Sequence, residues 1–219
     1  MRRFCYLAQV LIVFLAAGLL ACAVASGQVP AYNGPSEVSQ VKGKQTAVLA
    51  GGCFWGVDAV FKHVKGVDSV VSGFSGGEAR TAHYEVVSTG ETGHAESVKI
   101  TYDPSRVTYA QLLRVFFSVA TDPTELNRQG PDVGTQYRSV IFYTNDEQKQ
   151  VALAYIDQLN KARAFSGQIV TQVTPFRSFY EAEAYHQNYL ALHPDNPYIV
   201  YNDLSKLRHL KQEFPELYK

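Results

Sequence analysis

A strand–helix–strand pattern that occurs twice is the feature that most constrains the fold of this chain. Short, β-rich apolar segments alternate with segments in which apolar residues recur at helical spacing. The pattern predicts a strand at 46–50, a helix at 54–64, a strand at 67–74, a strand at 94–102, a helix at 108–119 and a strand at 137–143. This order is typical of an α+β fold, the ferredoxin-like split βαβ sandwich.

Further helices and an irregular C-terminal tail are predicted after the second unit. Thr108 can cap the helix at 108–119, and Asn145 with Gln148 three residues later resembles a capping box. The predicted additions are a helix from Asn145 to about residue 164, a strand at 169–173, a helix at 181–192 and an irregular tail with a short helix at 203–209.

The N-terminal residues have the layout of a secretory signal peptide. Arg2 and Arg3 form a positive region, residues 6–20 are almost all apolar, and small residues follow. The apolar stretch is short for a bilayer, so a membrane-spanning anchor fits less well. The sequence therefore predicts an exported protein of the periplasm or cell envelope.

Two processing routes remain open at the end of this segment. Ala23 and Ala25 are typical of cleavage before Ser26, whereas the four residues that end at Cys22 resemble a bacterial lipobox, in which Cys22 would carry a lipid anchor. Simple cleavage fits slightly better because Leu is permitted but not preferred at the second lipobox position. The predicted organisation is a signal peptide at 1–25, a flexible leader at 26–45 and a catalytic domain at 46–219.

The charge balance argues against a nucleic-acid partner. Removal of Arg2 and Arg3 with the signal peptide leaves 18 basic and 20 acidic residues, a net charge of −2. No basic stripe remains that could follow a phosphate backbone. The 6 histidines and the one cysteine outside the signal region show no metal-ligand spacing, so no metal site is expected.

Cys53 is the one cysteine of the predicted domain, because Cys5 and Cys22 lie in the signal region. A lone cysteine is usually a buried structural residue, but the neighbours of Cys53 favour a nucleophile. It follows two glycines where a strand ends and a helix begins, and a helix N-terminus favours the thiolate. Phe54 and Trp55 follow directly, and we expect at least one of them to line an apolar pocket rather than only pack in the core.

Glu96 is a candidate acid. Alternation along the strand at 94–102 places Glu96 on one face with Val98, Ile100 and Tyr102. Burial on this apolar face would raise the carboxyl pKa and make Glu96 a proton donor near neutral pH. The alternative is a wet strand end at which Glu96 pairs with a Lys or Arg.

The segment Gly-Gly-Cys-Phe-Trp-Gly at 51–56 resembles the signature of the A-type peptide methionine sulfoxide reductases. The resemblance extends over residues 46–192 through several motifs in the family's order. These motifs are Tyr84-x-x-Val87, Thr92 to Glu96, Asp122 to Thr124, Asn127 to Ser139, and Ala184 to Gln187 with Tyr189 and Leu190.

The resemblance implies reduction of the S epimer of methionine sulfoxide, free or in oxidised proteins, to methionine. Cys53 would attack the sulfoxide sulfur and become a sulfenic acid, while Glu96 protonates the oxygen. Tyr84 and Tyr137 would hydrogen-bond this oxygen, although packing is the default role of a tyrosine. In the same way, Phe54 and Trp55 would hold the S-methyl group, and Asp132 would help to place the substrate or order the pocket.

The tail departs from many relatives, which carry one or two resolving cysteines near the C-terminus. No cysteine follows Cys53 here, so its reduction requires a reductant from outside: a small thiol, a thioredoxin-like protein, or a periplasmic reductase that attacks Cys53 directly. No cofactor is expected to be bound, and a single-domain enzyme of this kind is expected to be monomeric.

Two other functions remain open from the sequence. One is a thiol peroxidase or a cysteine hydrolase with His94 or His186 as base, although nothing local pairs either histidine with Cys53. The other is a non-enzymatic envelope lipoprotein anchored at Cys22, with Cys53 merely buried.

Overall fold

The computed structural model describes residues 28–35 and 43–219. In chain order these residues form β1 (Gln45–Ala50), α1 (Phe54–Lys62), β2 (Val67–Ser75), α2 (Tyr84–Val87), β3 (Ala95–Tyr102), α3 (Tyr109–Val115), β4 (Arg128–Gln129), β5 (Asp132–Val133), β6 (Val140–Tyr143), α4 (Asp146–Lys161), β7 (Gln172–Pro175), β8 (Tyr180–Glu181), α5 (Tyr189–Leu192) and α6 (Leu204–Glu213). Short 3-10 turns lie at Ala79–Thr81, Thr135–Tyr137 and Ala184–His186, and π-helical turns at Phe116–Ala120 and Ile199–Asp203.

The central sheet has the strand order β7-β6-β1-β3-β2-β8. Its four inner strands pair antiparallel, and α1 and α3 are the crossover helices of the two strand–helix–strand units. This is the order of the split βαβ sandwich, so the α+β prediction is confirmed. β7 extends the sheet parallel to β6, β8 pairs antiparallel with β2, and β4 and β5 form a separate hairpin.

The main core lies between the helices and one face of the sheet. In β1, Leu49 points into this core with Phe61 of α1 and Leu112 of α3, whereas Val48 points into a smaller cluster on the opposite face. This alternation follows from the two-residue period of a strand. A turn of three residues, 51–53, joins the carboxyl end of β1 to the N-terminus of α1.

Both predicted helix caps are confirmed. The Thr108 hydroxyl accepts a hydrogen bond from Gln111 N at 3.1 Å, and Gln111 Oε1 accepts one from Thr108 N at 2.8 Å, which closes a capping box. Asn145 Oδ1 accepts from Gln148 N at 2.9 Å, but the Gln148 side chain turns away. It donates to Thr46 O at 2.8 Å, so it ties α4 to β1 instead of closing a second box.

The prediction of a helix at 181–192 is wrong. Glu181 pairs with Gly73 as part of the edge strand β8, and Asn188 has a left-handed φ of 57°, which interrupts helical geometry. Only the four residues of α5 are α-helical in this segment. The start of this segment therefore pairs with β2 at the edge of the sheet, although its local sequence pattern favours a helix.

Smaller differences concern the ends of other elements. The predicted strand at 169–173 is displaced to β7, and the one at 137–143 begins only at Val140, after a 3-10 turn. α4 ends at Lys161, and the helix predicted to Val119 continues beyond α3 as a π-helical turn. The tail is more regular than expected, because α6 extends to Glu213.

The described part of the predicted leader, residues 28–35, packs on the domain. Tyr155 Oη donates to Pro30 O at 2.6 Å, Arg114 Nε donates to Val29 O at 2.9 Å, and Val29 is buried. This segment is therefore held across α3 and α4, in contrast to the flexible leader predicted over 26–45. The predicted signal peptide at 1–25, with Cys22, lies outside the described residues. Within the described ranges, no helix is long and apolar enough to cross a membrane.

Candidate active site

Cys53 lies at the N-terminal end of α1, in the turn that follows β1. Gly52 has a φ of 93°, a left-handed conformation that glycine adopts without strain. A Cβ on Gly51 would lie 2.8 Å from a ring carbon of Phe116, so the turn has no room for a larger residue there. The two glycines thus let the chain turn tightly and place Cys53, which is 9% exposed, at the helix terminus.

A cavity of about 330 Å³ opens beside Cys53 and brings the predicted site residues together. Its lining consists of Cys53, Phe54, Trp55, Tyr84, Glu96, Asp132, Tyr137, Asn196 and Tyr198. Seven of these residues are the seven predicted from the sequence. A larger cavity of about 690 Å³ is lined by other residues, including Arg138, Phe142 and Arg177, and contains no cysteine.

Glu96 is buried against the N-terminus of α1. Phe54 N donates to Glu96 Oε2 at 3.0 Å, and the neighbours Val98 and Ile100 on the same strand face lie in the main core. The Glu96 pKa is raised to about 8, chiefly by burial and in part by the charge of Asp132, while hydrogen bonds from Phe54 N–H and the Cys53 thiol act in the opposite direction. Glu96 lies on the predicted face, its pKa is shifted in the predicted direction, and it forms no ion pair with a Lys or Arg of the described residues.

The Cys53 thiol holds its proton in the ligand-free molecule. Burial raises the Cys53 pKa well above its usual value, and the charges of Glu96 and Asp203 raise it further. The Trp55 N–H at the helix terminus lowers the pKa, as the sequence predicts, but this effect is the smaller one. The expected preference for the thiolate is therefore not met at rest, and the site stores one proton on sulfur and one on the Glu96 carboxyl.

Two tyrosine hydroxyls face the same cavity. Tyr84 begins α2, and Tyr137 ends the 3-10 turn before β6. Burial raises the Tyr84 pKa to about 12, with additional contributions from Glu96 and Cys53, and burial also raises the Tyr137 pKa. Both side chains therefore remain protonated hydrogen-bond donors at neutral pH.

Phe54 and Trp55 form the apolar wall of the cavity. Phe54 is 1% exposed and packs in the main core. It also lines the cavity, so it does not serve the core alone. Trp55 is half-buried and stacks on Tyr189, with ring centroids 3.6 Å apart and planes 5° apart. Trp55 Nε1 also donates to His186 Nδ1 at 3.1 Å, so the indole is fixed both by stacking and by a hydrogen bond.

The two histidines considered as bases have other partners. His186 is buried, its pKa is lowered by burial, and its Nδ1 accepts the Trp55 hydrogen bond, which leaves the hydrogen of the neutral ring on Nε2. His94 Nδ1 accepts from Gly77 N at 3.2 Å, and its Nε2 contacts Glu78 O at 3.0 Å. His186 thus positions Trp55, and His94 holds the segment after β2.

Sequence reasoning missed the contribution of the C-terminal tail. Tyr198 Oη donates a short hydrogen bond to Asp132 Oδ2, and Asn196 lines the cavity. Burial raises the Asp132 pKa, and the Tyr198 hydrogen bond opposes this shift. No motif around Asn196 and Tyr198 pointed to the site. The hydrogen bond that ties this segment to the site joins Tyr198 to Asp132, which lies 66 positions earlier in the chain.

Asp203 is a further residue of the tail, and it packs against α1. It is 1% exposed, its Oδ1 lies 3.3 Å from Lys206 Nζ, and a Cβ on Gly56 would lie only 2.1 Å from this oxygen. The glycine in the first turn of α1 was the available signal, since glycine inside a helix often marks a close approach. Among the described residues, no group of three or more His, Cys, Asp and Glu side chains is arranged to hold a metal ion.

Comparison with known proteins gives one consistent family. The model of the family described as peptide methionine sulfoxide reductase matches residues 45–217. A protein named peptide methionine sulfoxide reductase MsrA 2 from Mesorhizobium japonicum is 63% identical over 176 residues, which are 80% of this chain and 90% of that protein. The protein of the same name from Synechocystis sp. is 53% identical over 178 residues, 81% of this chain and 83% of its own.

Two solved structures are similar. The crystal structure of Mxr1 from Saccharomyces cerevisiae in reduced form has a TM-score of 0.62 and 32% identity, and the match covers 70% of this chain and 87% of that one. Methionine sulfoxide reductase A of Corynebacterium diphtheriae has a TM-score of 0.60 and 34% identity, and the match covers 72% of this chain and 78% of its own.

Proposed function

Because the chain belongs to the peptide methionine sulfoxide reductase family and is a peptide-methionine (S)-S-oxide reductase, we propose that Cys53 and Glu96 carry its chemistry through a Cys53 sulfenic acid. The observation that carries the proposal is the single cavity that joins the Cys53 thiol, the Glu96 carboxyl and the hydroxyls of Tyr84 and Tyr137. These groups are the nucleophile, the acid and the oxygen-binding donors that reduction of a sulfoxide requires.

The first step transfers one oxygen atom. The Cys53 sulfur attacks the sulfoxide sulfur, Glu96 gives its proton to the sulfoxide oxygen, and the thiol proton replaces the one that Glu96 has given. The oxygen is then transferred to Cys53 Sγ as the substrate sulfur loses its bonds both to this oxygen and to Cys53, so the substrate sulfur is reduced to a thioether and Cys53 is oxidised to a sulfenic acid. The two stored protons of the resting site suit this step, because thiolate and protonated oxygen can form together only after substrate is bound.

The tyrosines and the aromatic wall define what the cavity accepts. The hydroxyls of Tyr84 and Tyr137 donate hydrogen bonds to the sulfoxide oxygen, and these hydrogen bonds strengthen as negative charge develops on that oxygen. Phe54 and the fixed Trp55 ring hold the S-methyl group on the opposite side. A sulfoxide with its oxygen toward Glu96 and its methyl toward Trp55 presents one configuration of sulfur to Cys53, which supports selection of the S epimer.

Recovery of Cys53 requires a thiol from outside the described chain. Cys53 is the free cysteine of the described residues, and no cysteine follows it in the sequence. A first thiol forms a mixed disulfide with Cys53 and releases water, and a second thiol restores Cys53. The reductant is a thioredoxin-like protein or a small thiol, and no bound cofactor takes part.

The proposed setting is the repair of oxidised envelope or secreted proteins. The signal-peptide pattern of residues 1–25 supports export to the periplasm or cell envelope, with the protein either soluble or anchored through Cys22. Neither histidine favours a hydrolase, because His186 bonds to Trp55 and His94 to the segment after β2.

Reduction of the two resolved epimers of a methionine sulfoxide peptide with dithiothreitol tests this function. We expect turnover of the S epimer only, and complete loss of turnover in Cys53→Ser. Equal turnover of both epimers, or full activity in Cys53→Ser, would overturn the assignment. Cell fractionation tests export. We expect the protein in the periplasmic or envelope fraction, and we expect it to be lost from that fraction when residues 1–25 are deleted.

A further inference from the structure

A second and smaller cavity also reaches Cys53. Its volume is about 150 Å³, and its lining includes Cys53, Thr121, Gln129, Gly130, Asn202 and Lys206. Phe54, Trp55, Tyr84, Glu96 and Tyr137 are absent from this lining, although all of them line the substrate cavity. Cys53 therefore lines two cavities whose other lining residues differ except for Asp132 and Tyr198.

The two cavities share Asp132 and Tyr198 besides Cys53. Tyr198 Oη donates to Asp132 Oδ2, so this hydrogen bond lies where the two linings meet. Tyr198 belongs to the C-terminal tail, which packs over α1 and contains no cysteine. The tail thus builds a second approach to the catalytic sulfur.

We propose that the second cavity is the route by which the sulfur of an external thiol reaches Cys53. The inference rests on the proposed function, because it concerns the sulfenic acid formed in the first step. Displacement at divalent sulfur proceeds in line, with the incoming thiolate and the departing oxygen on opposite sides. Glu96 lines the substrate cavity and is absent from the lining of the second, so a thiol that enters the second cavity approaches the sulfenic acid away from the residue that binds its oxygen.

The step is balanced without any further reactant. The thiol gives up its proton, and its sulfur bonds to Cys53 Sγ as the Sγ–O bond breaks. The oxygen leaves as water with its own hydrogen and one proton from Glu96, which the proton released by the thiol replaces. The product is a mixed disulfide, which a second thiol reduces to the Cys53 thiol and a free disulfide.

Lys206 is the cation of this second cavity. Its Nζ lies 3.3 Å from Asp203 Oδ1, and its side chain is 20% exposed, so the ammonium group is held near the cavity rather than free in solvent. The lining also contains Asp122 and Asp132, so Lys206 is the one basic side chain in it that can stabilise the thiolate form of an arriving thiol, which is the reactive form. The volume is enough for the methylene and sulfur at the end of a thiol, whether of a small molecule or of an exposed protein cysteine.

A two-step experiment on the full-length protein separates the routes. Enzyme without reductant is first mixed with S-sulfoxide peptide, and the burst of methionine is measured. The rate constant for reduction of the oxidised enzyme is then measured with dithiothreitol in one arm and reduced thioredoxin in the other. Both arms are repeated with the methionine product peptide at concentrations that inhibit the burst.

We expect the product peptide to leave the thiol rate constant unchanged, because it occupies only the substrate cavity. Lys206→Met should lower the ratio of the thiol rate constant to the burst rate about fivefold, as expected for loss of one partly exposed charge contact. Lys206→Arg should retain the ratio, and Lys211→Met, on the exposed side of α6, is the matched control.

Two results would overturn the second route: competition between product peptide and thiol, or an unchanged ratio in Lys206→Met with both reductants. An effect limited to one reductant supports the route and assigns it to that source. A wild-type enzyme that gives no burst contradicts the proposed function itself, and this is seen before any thiol is added.

Discussion

At the scale of single residues, Glu96 shows how position sets chemistry. Its strand places it on the core side of the sheet, where burial raises the carboxyl pKa to about 8 despite the Phe54 N–H. The sequence alone predicted this environment, because a two-residue period assigns each strand residue to a face. It did not predict the proton on Cys53, because the pKa of this thiol is raised first by burial and then by the carboxylates of Glu96 and Asp203, which come from distant segments.

The activity should depend on the Glu96 proton. We expect kcat/KM for the S-sulfoxide to fall as the pH rises through about 8, because an ionised Glu96 cannot protonate the oxygen. Glu96→Gln should lower kcat/KM by about 10² to 10⁴ and abolish this alkaline limb. The exposed Glu85→Gln on α2 is the control, and a limb that persists in Glu96→Gln would assign it to another group.

The same residue should make stability depend on pH. Its folded pKa of about 8 lies above its ordinary value of 4.5, so the folded state keeps a proton that the unfolded state loses. The contribution of Glu96 to the free energy of unfolding is therefore complete below pH 4.5 and is lost as the pH rises to about 8. Glu96→Gln should have a higher Tm than the wild type at pH 9 and a smaller advantage at pH 5, measured by thermal unfolding.

At the scale of elements, the contact between α1 and the C-terminal tail decides the shape of the site. The sequence predicted α1 and its neighbours from local periodicity, but it placed a helix where β8 pairs with the edge of the sheet. A local pattern cannot report a partner strand that lies far away in the chain. For the same reason it could not place Tyr198 beside Asp132 or Asp203 beside Gly56.

Gly56→Ala tests this contact. Alanine gains about 1 kcal/mol of helix propensity over glycine. Its Cβ would nevertheless lie 2.1 Å from the buried Asp203 oxygen, and such overpacking costs about 1–3 kcal/mol. We expect a net loss in the free energy of unfolding, measured with urea, together with slower turnover. Gly167→Ala is the control, because its Cβ would lie at an ordinary 3.4 Å from Thr124; equal effects of the two changes would argue against a tight α1–tail contact.

At the scale of the whole molecule, a split βαβ sandwich holds one nucleophile beneath a tail that supplies no second cysteine. The fold followed from periodicity. Cys53, Glu96, Phe54 and Trp55 followed from their local sequence, and Tyr84, Tyr137 and Asp132 from the resemblance of short motifs to those of the family. The second cavity, with Lys206 at its lining and the Tyr198–Asp132 hydrogen bond, depends on how the last residues return to α1. In the proposed cycle, the substrate cavity serves the oxidation of Cys53 and the second cavity serves its recovery by an external thiol.

The number of methionines formed per enzyme molecule in the complete absence of reductant tests this account most directly. Mass spectrometry of the same sample follows the state of Cys53. We predict one methionine per molecule from the S epimer, and a protein that has gained one oxygen atom at Cys53 and contains no internal disulfide. Formation of no methionine, or an internal disulfide after turnover, would contradict the account.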